Sequence, residues 1–171
     1  MTASAASLFE RKTILSDGAG TLYLKREADG KDAPQLKAVT GAHLFSNKSS
    51  RAKAIKLARA ELNGSAGRAL LCDGLQGTPR TDQAEQTAWE DWPGERLSVK
   101  SVLGESLMAA AAWQCVAAVD ALSRNEYDTA NVSVPGTNQQ AIAAQFVRHT
   151  GESRHTGESR HGGESRHGGG S

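Results

Sequence analysis

The chain has 171 residues, 38% of them hydrophobic and 5% aromatic, which suits one domain with a core of Ala, Leu and Val. Lys and Arg total 20 against 19 Asp and Glu, a net charge of +1. That balance excludes an electrostatic pull toward nucleic acid or an acidic membrane surface.

The first residues are mostly small and polar, and Glu10, Arg11 and Lys12 follow at once, which is not the pattern of a signal peptide. The most apolar stretch, Leu107 to Val119, is interrupted by Gln114 and is too short to span a bilayer. Cys72 and Cys115 lie far apart in sequence among apolar residues, with no C-x-x-C spacing. They read as free thiols in a reducing compartment, and a cytoplasmic location is expected.

In chain order, "AGTLYLKRE" (19–27) and "QLKAVTGAHLF" (35–45) alternate apolar and polar residues, as strands do. "SSRAKAIKLARAELNG" (49–64) predicts an amphipathic helix with Ala54, Ile55, Ala58 and Leu62 on one face and Ser49 or Ser50 as cap. "RALLCD" (68–73) suits a short buried strand. Gly77-Thr78-Pro79 makes a turn into a helix reaching about Trp89, and Asp91-Trp92-Pro93 breaks it. "RLSVKS" (96–101) predicts a strand, and "GESLMAAAAWQCVAAVDAL" (104–122) a helix apolar on nearly every side, starting at Glu105 and Ser106. "TANVSV" (129–134) and "QAIAAQFVR" (140–148) close as two strands. The order β-β-α-β-α-β-α-β-β predicts an α/β layered fold over residues 1–147, with a mixed sheet packed on the buried helix 104–122.

From Arg148 the chain runs RHTGES, RHTGES, RHGGES, RHGGGS, which places His149, His155, His161 and His167 six residues apart. A repeat with no apolar side chain cannot offset the entropy of ordering it, so a disordered tail over 148–171 is expected, with weak transition-metal binding as the alternative role.

Four stretches resemble motifs of the β-ketoacyl synthases, the condensing enzymes of fatty-acid and polyketide assembly, in the C-terminal half of their thiolase-like fold. "SDGAGTLYL" is similar to the family's G-E-G-A-G. "GLQGTPRTDQAE" is similar to H-G-T-G-T-P-x-x-D-x-x-E, "KSVLGESLMAAAAW" to K-x-x-x-G-H-x-x-G-A-A-G, and "VPGTNQQA" to F-G-G-T-N-A. The resemblance implies a thiolase-like half-fold and no cofactor or metal. It retains the family's acidic and basic positions at Asp82, Glu85 and Lys100. It places the first catalytic histidine at Gly74, the second at Glu105 and the closing-loop phenylalanine at Val134. The acyl-accepting cysteine belongs to the other half of the family's fold.

Imidazoles in that family polarise the malonyl thioester as charge develops on oxygen. Gly74 offers no side chain, and an ionised Glu105 repels an enolate. The resemblance therefore implies a degenerate site, with no residue assigned as catalytic and no activity of the chain alone. It is similar in this to a chain-length factor, a partner that pairs with an active ketosynthase. The alternatives are synthase activity through Glu105 or the Asp82/Glu85 pair, and a truncated gene product. Lys100 is expected to pair with Glu85, and also with Asp82, beneath the site.

A ketosynthase-like subunit, as hetero- or homodimer, is the expected partner, because helix 104–122 alone leaves an apolar face open. The basic face Arg51, Lys53, Lys56 and Arg59 reads as solvated, with an acidic acyl carrier protein as the alternative occupant. His43 reads as an ordinary part-buried histidine, and Trp89, Trp92 and Trp113 as packing anchors.

Overall fold

The structure, a computed structural model, describes residues 14–26, 33–62, 64, 67–107 and 109–148. The histidine repeat beyond Arg148 lies outside the described residues, as does Glu27. Within them the chain forms six strands and four helices. The strands are β1 (Pro34–Val39), β2 (His43–Leu44), β3 (Ala69–Cys72), β4 (Glu95–Leu97), β5 (Thr129–Pro135) and β6 (Gln140–Arg148). The helices are α1 (Lys48–Glu61), α2 (Pro79–Ala88), α3 (Val99–Leu103) and α4 (Ala110–Ser123).

The strands make one mixed sheet in the order β1-β6-β5-β3-β4, with β2 also on β6. β3 runs parallel to both β4 and β5, while β6 pairs antiparallel with β1, β2 and β5. From β3 the chain moves through α2 to β4 on one side, then through α3 and α4 back across to β5 on the other. Two crossovers of the same hand running in opposite directions place their helices on opposite faces. Accordingly α1 and α2 cover one face, with Ala54, Ile55, Ala84, Ala88 and Trp89 against Leu71 and Ala141. α4 covers the other, with Ala118, Ala121 and Leu122 against Leu70, Cys72, Ala130, Val132 and Phe146. Alternation along each strand assigns neighbours to opposite faces.

The α1 helix starts one residue before the expected stretch. Asn47, not Ser49 or Ser50, is the cap: its side chain accepts from Ser50 N, and Ser50 Oγ accepts from Asn47 N. The strand expected over 35–45 breaks into β1 and β2. Thr40 bridges the break, donating its N–H to Ala143 O at 2.9 Å while its hydroxyl accepts from Ala143 N at 2.9 Å. Arg148 belongs to β6 and pairs with Asp128, so the body extends one residue past the expected boundary.

Four expectations are corrected. Residues 19–26 form no strand; the segment lies instead against α4, where Trp113 Nε1 donates to Ala19 O at 3.1 Å. A Cβ on Gly18 would overlap the Trp113 ring, so only glycine lets the segment sit that close. The strand expected over 96–101 ends at Leu97 and gives way to α3. The helix expected from 104 begins at Ala110, because Gly104 (φ 84°) and Leu107 (φ 41°) take left-handed conformations that a helix cannot continue through. Nor is α4 buried all round: Ala110, Gln114, Ala118, Ala121 and Leu122 are buried, while Val116 on its far side is exposed. No helix among the described residues is long and apolar enough to cross a membrane.

Candidate functional site

In an open α/β sheet, the carboxyl ends of parallel strands on either side of a crossover reversal frame a crevice. β3 and β5 are such a pair here, and one side chain braces their ends. Gln114, fully buried in α4, donates Nε2 to Cys72 O at 3.2 Å, Asp73 O at 2.7 Å and Ser133 O at 2.9 Å. Just beyond these carbonyls lies a cavity of about 50 Å³, lined by Arg51, Gly74, Lys100, Glu105 and Val134 among others. That is room for one or two water molecules. Four positions that the sequence resemblance singles out, on three separate stretches of chain, thus meet at one small cavity.

Gly74 ends β3's run toward α2. A Cβ built there would stand 3.0 Å from Glu85 Oε2 and 3.0 Å from Pro135 Cδ. The place of a side chain at 74 is therefore already filled. Glu85, on the inner face of α2, accepts a hydrogen bond from Gly74 N at 2.9 Å through Oε1. Burial pushes its carboxyl up to about 7, against the pull of the Ser133 hydroxyl and the Gly74 N–H; Asp73 adds to the rise and Lys100 opposes it. Asp82 braces the turn: its Oδ1 accepts from Gln76 N at 3.3 Å and from Thr81 Oγ1 at 3.2 Å.

Lys100, on α3, corrects the expected chemistry. Its Nζ donates to Glu105 Oε2 at 2.7 Å, and Glu105, rather than Glu85 or Asp82, is its ion-pair partner. Both side chains are largely buried, at 11% and 6% exposure, so each offsets the other's lost hydration. Glu105 Oε1 also accepts from Leu107 N at 2.8 Å. Its backbone joins the segment before residue 20: Glu105 N donates to Ile14 O at 2.6 Å and Ser16 N to Glu105 O at 3.0 Å. Glu105 thus borders two spaces, the small cavity and an open groove of about 770 Å³ between residues 15–20 and 105–112.

Three contributors to the site carry weaker signals in the sequence. Arg51 stands in the basic run of α1 yet turns inward, donating Nη2 to Pro135 O at 2.9 Å. Gln114 is visible only as a polar interruption of an apolar run. Asp73, wholly buried, closes the apolar run of β3, and burial raises its pKa above the usual carboxylate range. The thiols offer no nucleophile: burial pushes Cys72 up to about 12 and raises Cys115 as well.

Outside the site, His43 Nε2 lies 2.6 Å from Glu61 Oε1 and ties β2 to α1, well away from the cavity. The basic face of α1 is partly neutralised, by Glu90 at 3.7 Å from Lys56 and by Asp91 on Arg59; among the described residues Lys53 is its exposed cation without such a carboxylate. Among the described residues no cluster of His, Cys, Asp and Glu is placed to hold a metal ion.

The sequence matches no protein-family model and no curated protein. In three dimensions the chain is similar to one chain of the solved AntDE:AntF complex, a type II polyketide synthase acyl-carrier protein with its ketosynthase bound to the hexaketide. The TM-score is 0.53 at 12% identity, and the match covers 66% of this chain and 32% of the other, so this chain spans about a third of its neighbour. At that identity the likeness concerns the fold: a mixed α/β architecture related to one found among type II polyketide synthase components.

Proposed function

We propose that the chain is a non-catalytic β-ketoacyl-synthase-like protein of fatty-acid or polyketide-type biosynthesis, built on a thiolase-like half-fold. It pairs with an active ketosynthase or with a chain supplying the other half of the fold. One observation carries the reading. At the two positions matched to the family's histidines, the space beside Gly74 is taken by Glu85 and Pro135, and Glu105 is held by Lys100. Neither position presents a hydrogen-bond donor to a developing enolate. The fold-level likeness to a chain of a polyketide synthase complex is the second support. Exposed apolar side chains at Leu103, Leu107 and Val116 are the third, since a soluble protein seldom leaves such a lip and helix face uncovered.

The experiment is to incubate the full chain with acyl- and malonyl-carrier-protein thioesters. No condensation and no decarboxylation are expected from the chain alone, and co-purification with a ketosynthase subunit is expected. Condensation or decarboxylation by the isolated chain, lost in Glu105→Ala, overturns the reading.

A second reading, acyltransferase activity that appears only in the complex, is favoured by Glu85. A buried carboxyl raised to about 7, behind the Gly74 wall of the cavity, is suited to exchange a proton near neutral pH. It requires that adding the partner restores turnover and that Glu85→Gln abolishes it.

A further inference from the structure

We propose that the small cavity beyond the strand ends is a binding site for ordered water, held between Arg51 and the Lys100–Glu105 pair. Arg51 reaches the cavity wall from α1, Lys100 from α3 and Glu105 from the turn before α4. Arg51 Nε is buried with no hydrogen-bond partner among the described residues. Its guanidinium is held in place, with Nη2 on Pro135 O at 2.9 Å and the Phe45 ring at 5.1 Å, so Nε cannot swing out to bulk solvent. A buried N–H without an acceptor is rare in a stable fold, and in a polar cavity water is the usual acceptor.

The opposite wall asks for the same occupant. An ammonium carries three donors, and the hydrogen bond that Lys100 Nζ makes among the described residues goes to Glu105 Oε2. A carboxylate accepts about four bonds, and Glu105 takes one from Lys100 and one from Leu107 N. N–H groups are thus left to donate to a water oxygen, and a carboxylate to accept from its protons. A volume of about 50 Å³ has room for one or two such molecules. Charge points the same way. Lys100 is matched by Glu105, and Arg51 lies in the field of Glu85 and Asp82, so no positive charge is left over to hold an anion. Two cations on the wall repel a metal ion, and an apolar occupant would leave their buried donors dry.

The water completes a connected path across the cavity. It runs from Arg51 through the water to Lys100 and Glu105, and on to the Leu107 N–H that Glu105 Oε1 holds at 2.8 Å. Leu107 has φ 41°, a conformation that costs a leucine energy and persists only with such support. The rim of the open groove is thereby tied to α1, a helix on the other face of the sheet. An acyl or other apolar group enters the cavity only by expelling the water. This inference goes beyond the proposed function and holds whether or not a ketosynthase subunit is bound.

The test is NMR of the ¹⁵N-labelled full chain at mildly acidic pH, where arginine Nε–H protons exchange slowly enough to be seen. Arg51 Hε is expected to be protected from exchange with bulk solvent. It is also expected to show a cross-peak to water with the sign of a molecule that stays for nanoseconds or longer. Ala110 is 2% exposed and lines the cavity, so Ala110→Val puts two more carbons into it and is expected to abolish that cross-peak. Val134→Ile fills the space from another wall and is read the same way if Ala110→Val does not fold. If neither folds, the wild-type spectrum alone decides. An Arg51 Hε that exchanges as fast as an exposed arginine, or one without the cross-peak, overturns the proposal. So does a cross-peak that survives the filling variants, which places the water elsewhere. A wild-type cross-peak lost when chloride replaces gluconate at constant ionic strength assigns the cavity to an anion and overturns it too.

Discussion

On the face of the sheet covered by α1 and α2, polar groups are woven into the packing. Trp89 is fully buried, meets Trp92 edge-on at 5.4 Å, lies under the Arg59 guanidinium at 4.8 Å, and donates Nε1 to Ser133 Oγ at 3.2 Å. Cross-strand partners Asn131 and Gln145 bond each other at 3.1 Å on the same side. On the face covered by α4, Ala, Leu, Val and Phe meet without such bonds, and the helix carries Val116 exposed on its back. The first face is specified by direction across its breadth; the second mainly by burial, with direction supplied only at the strand ends, by Gln114. The difference teaches that side-chain hydrogen bonds, not the covering of apolar surface, set the two faces apart: Val116 on α4 and Leu57 on α1 are both exposed.

The largest test of that contrast is truncation on each face. Trp89→Ala is expected to cost about 3–5 kcal/mol, because it opens a large cavity and removes both a donor to Ser133 and the ring beneath Arg59. Leu122→Ala, its counterpart under α4, is expected near the lower end of the ~2–5 kcal/mol range for such changes, since only apolar contacts are lost. Denaturant unfolding of both variants measures the gap, and equal losses would break the comparison.

Next is pH. Glu85 binds its proton more tightly when folded, at about 7 against an ordinary 4.5, so the wild-type protein loses stability as pH rises from about 4.5 to about 7 and does not regain it above. Glu85→Gln is expected to flatten that decline, matching wild type at pH 4 and exceeding it by up to about 3 kcal/mol at pH 8. Thermal unfolding across that range reads the effect, and a parallel decline in both proteins would contradict it.

Much of the fold is visible in the chain because local signals and tertiary placement agree. The period of α1, the Gly-Thr-Pro entry to α2 and the alternation of β5 and β6 each survive to within a residue or two. The departures share a cause. Leu22 and Leu24 alternate as a strand would, but a ladder needs a partner, and residues 19–26 are held by α4 instead. Glu105 and Ser106 look like a helix start, yet the turn through Gly104 and Leu107 delays α4 to Ala110, and nothing about a leucine announces φ of 41°. At the site, the meeting of Gly74, Lys100, Glu105 and Val134 follows from motif order. The choice of Lys100 between two carboxylates does not, because it depends on a few ångströms of three-dimensional placement.

A smaller effect sharpens the contrast at the point where the α4 face turns polar. Gln114→Leu keeps the volume and leaves three strand-end carbonyls without a donor, a loss expected at about 1–3 kcal/mol in thermal unfolding. The smallest lies on the back of the same helix. Val116→Lys is expected to change stability by less than about 0.5 kcal/mol while lowering the binding of an apolar dye. A large loss of stability there would mean that the back of α4 is not free.

The amide of Gln114 also acts as a mechanical coupling. It fastens one helix to the tips of two strands, so the helix cannot slide or roll without tugging Cys72, Asp73 and Ser133 along. A neighbouring molecule that leans on the back of the helix therefore presses, through Gln114 among other contacts, on the strand ends that lead into the small chamber at Gly74 and Val134.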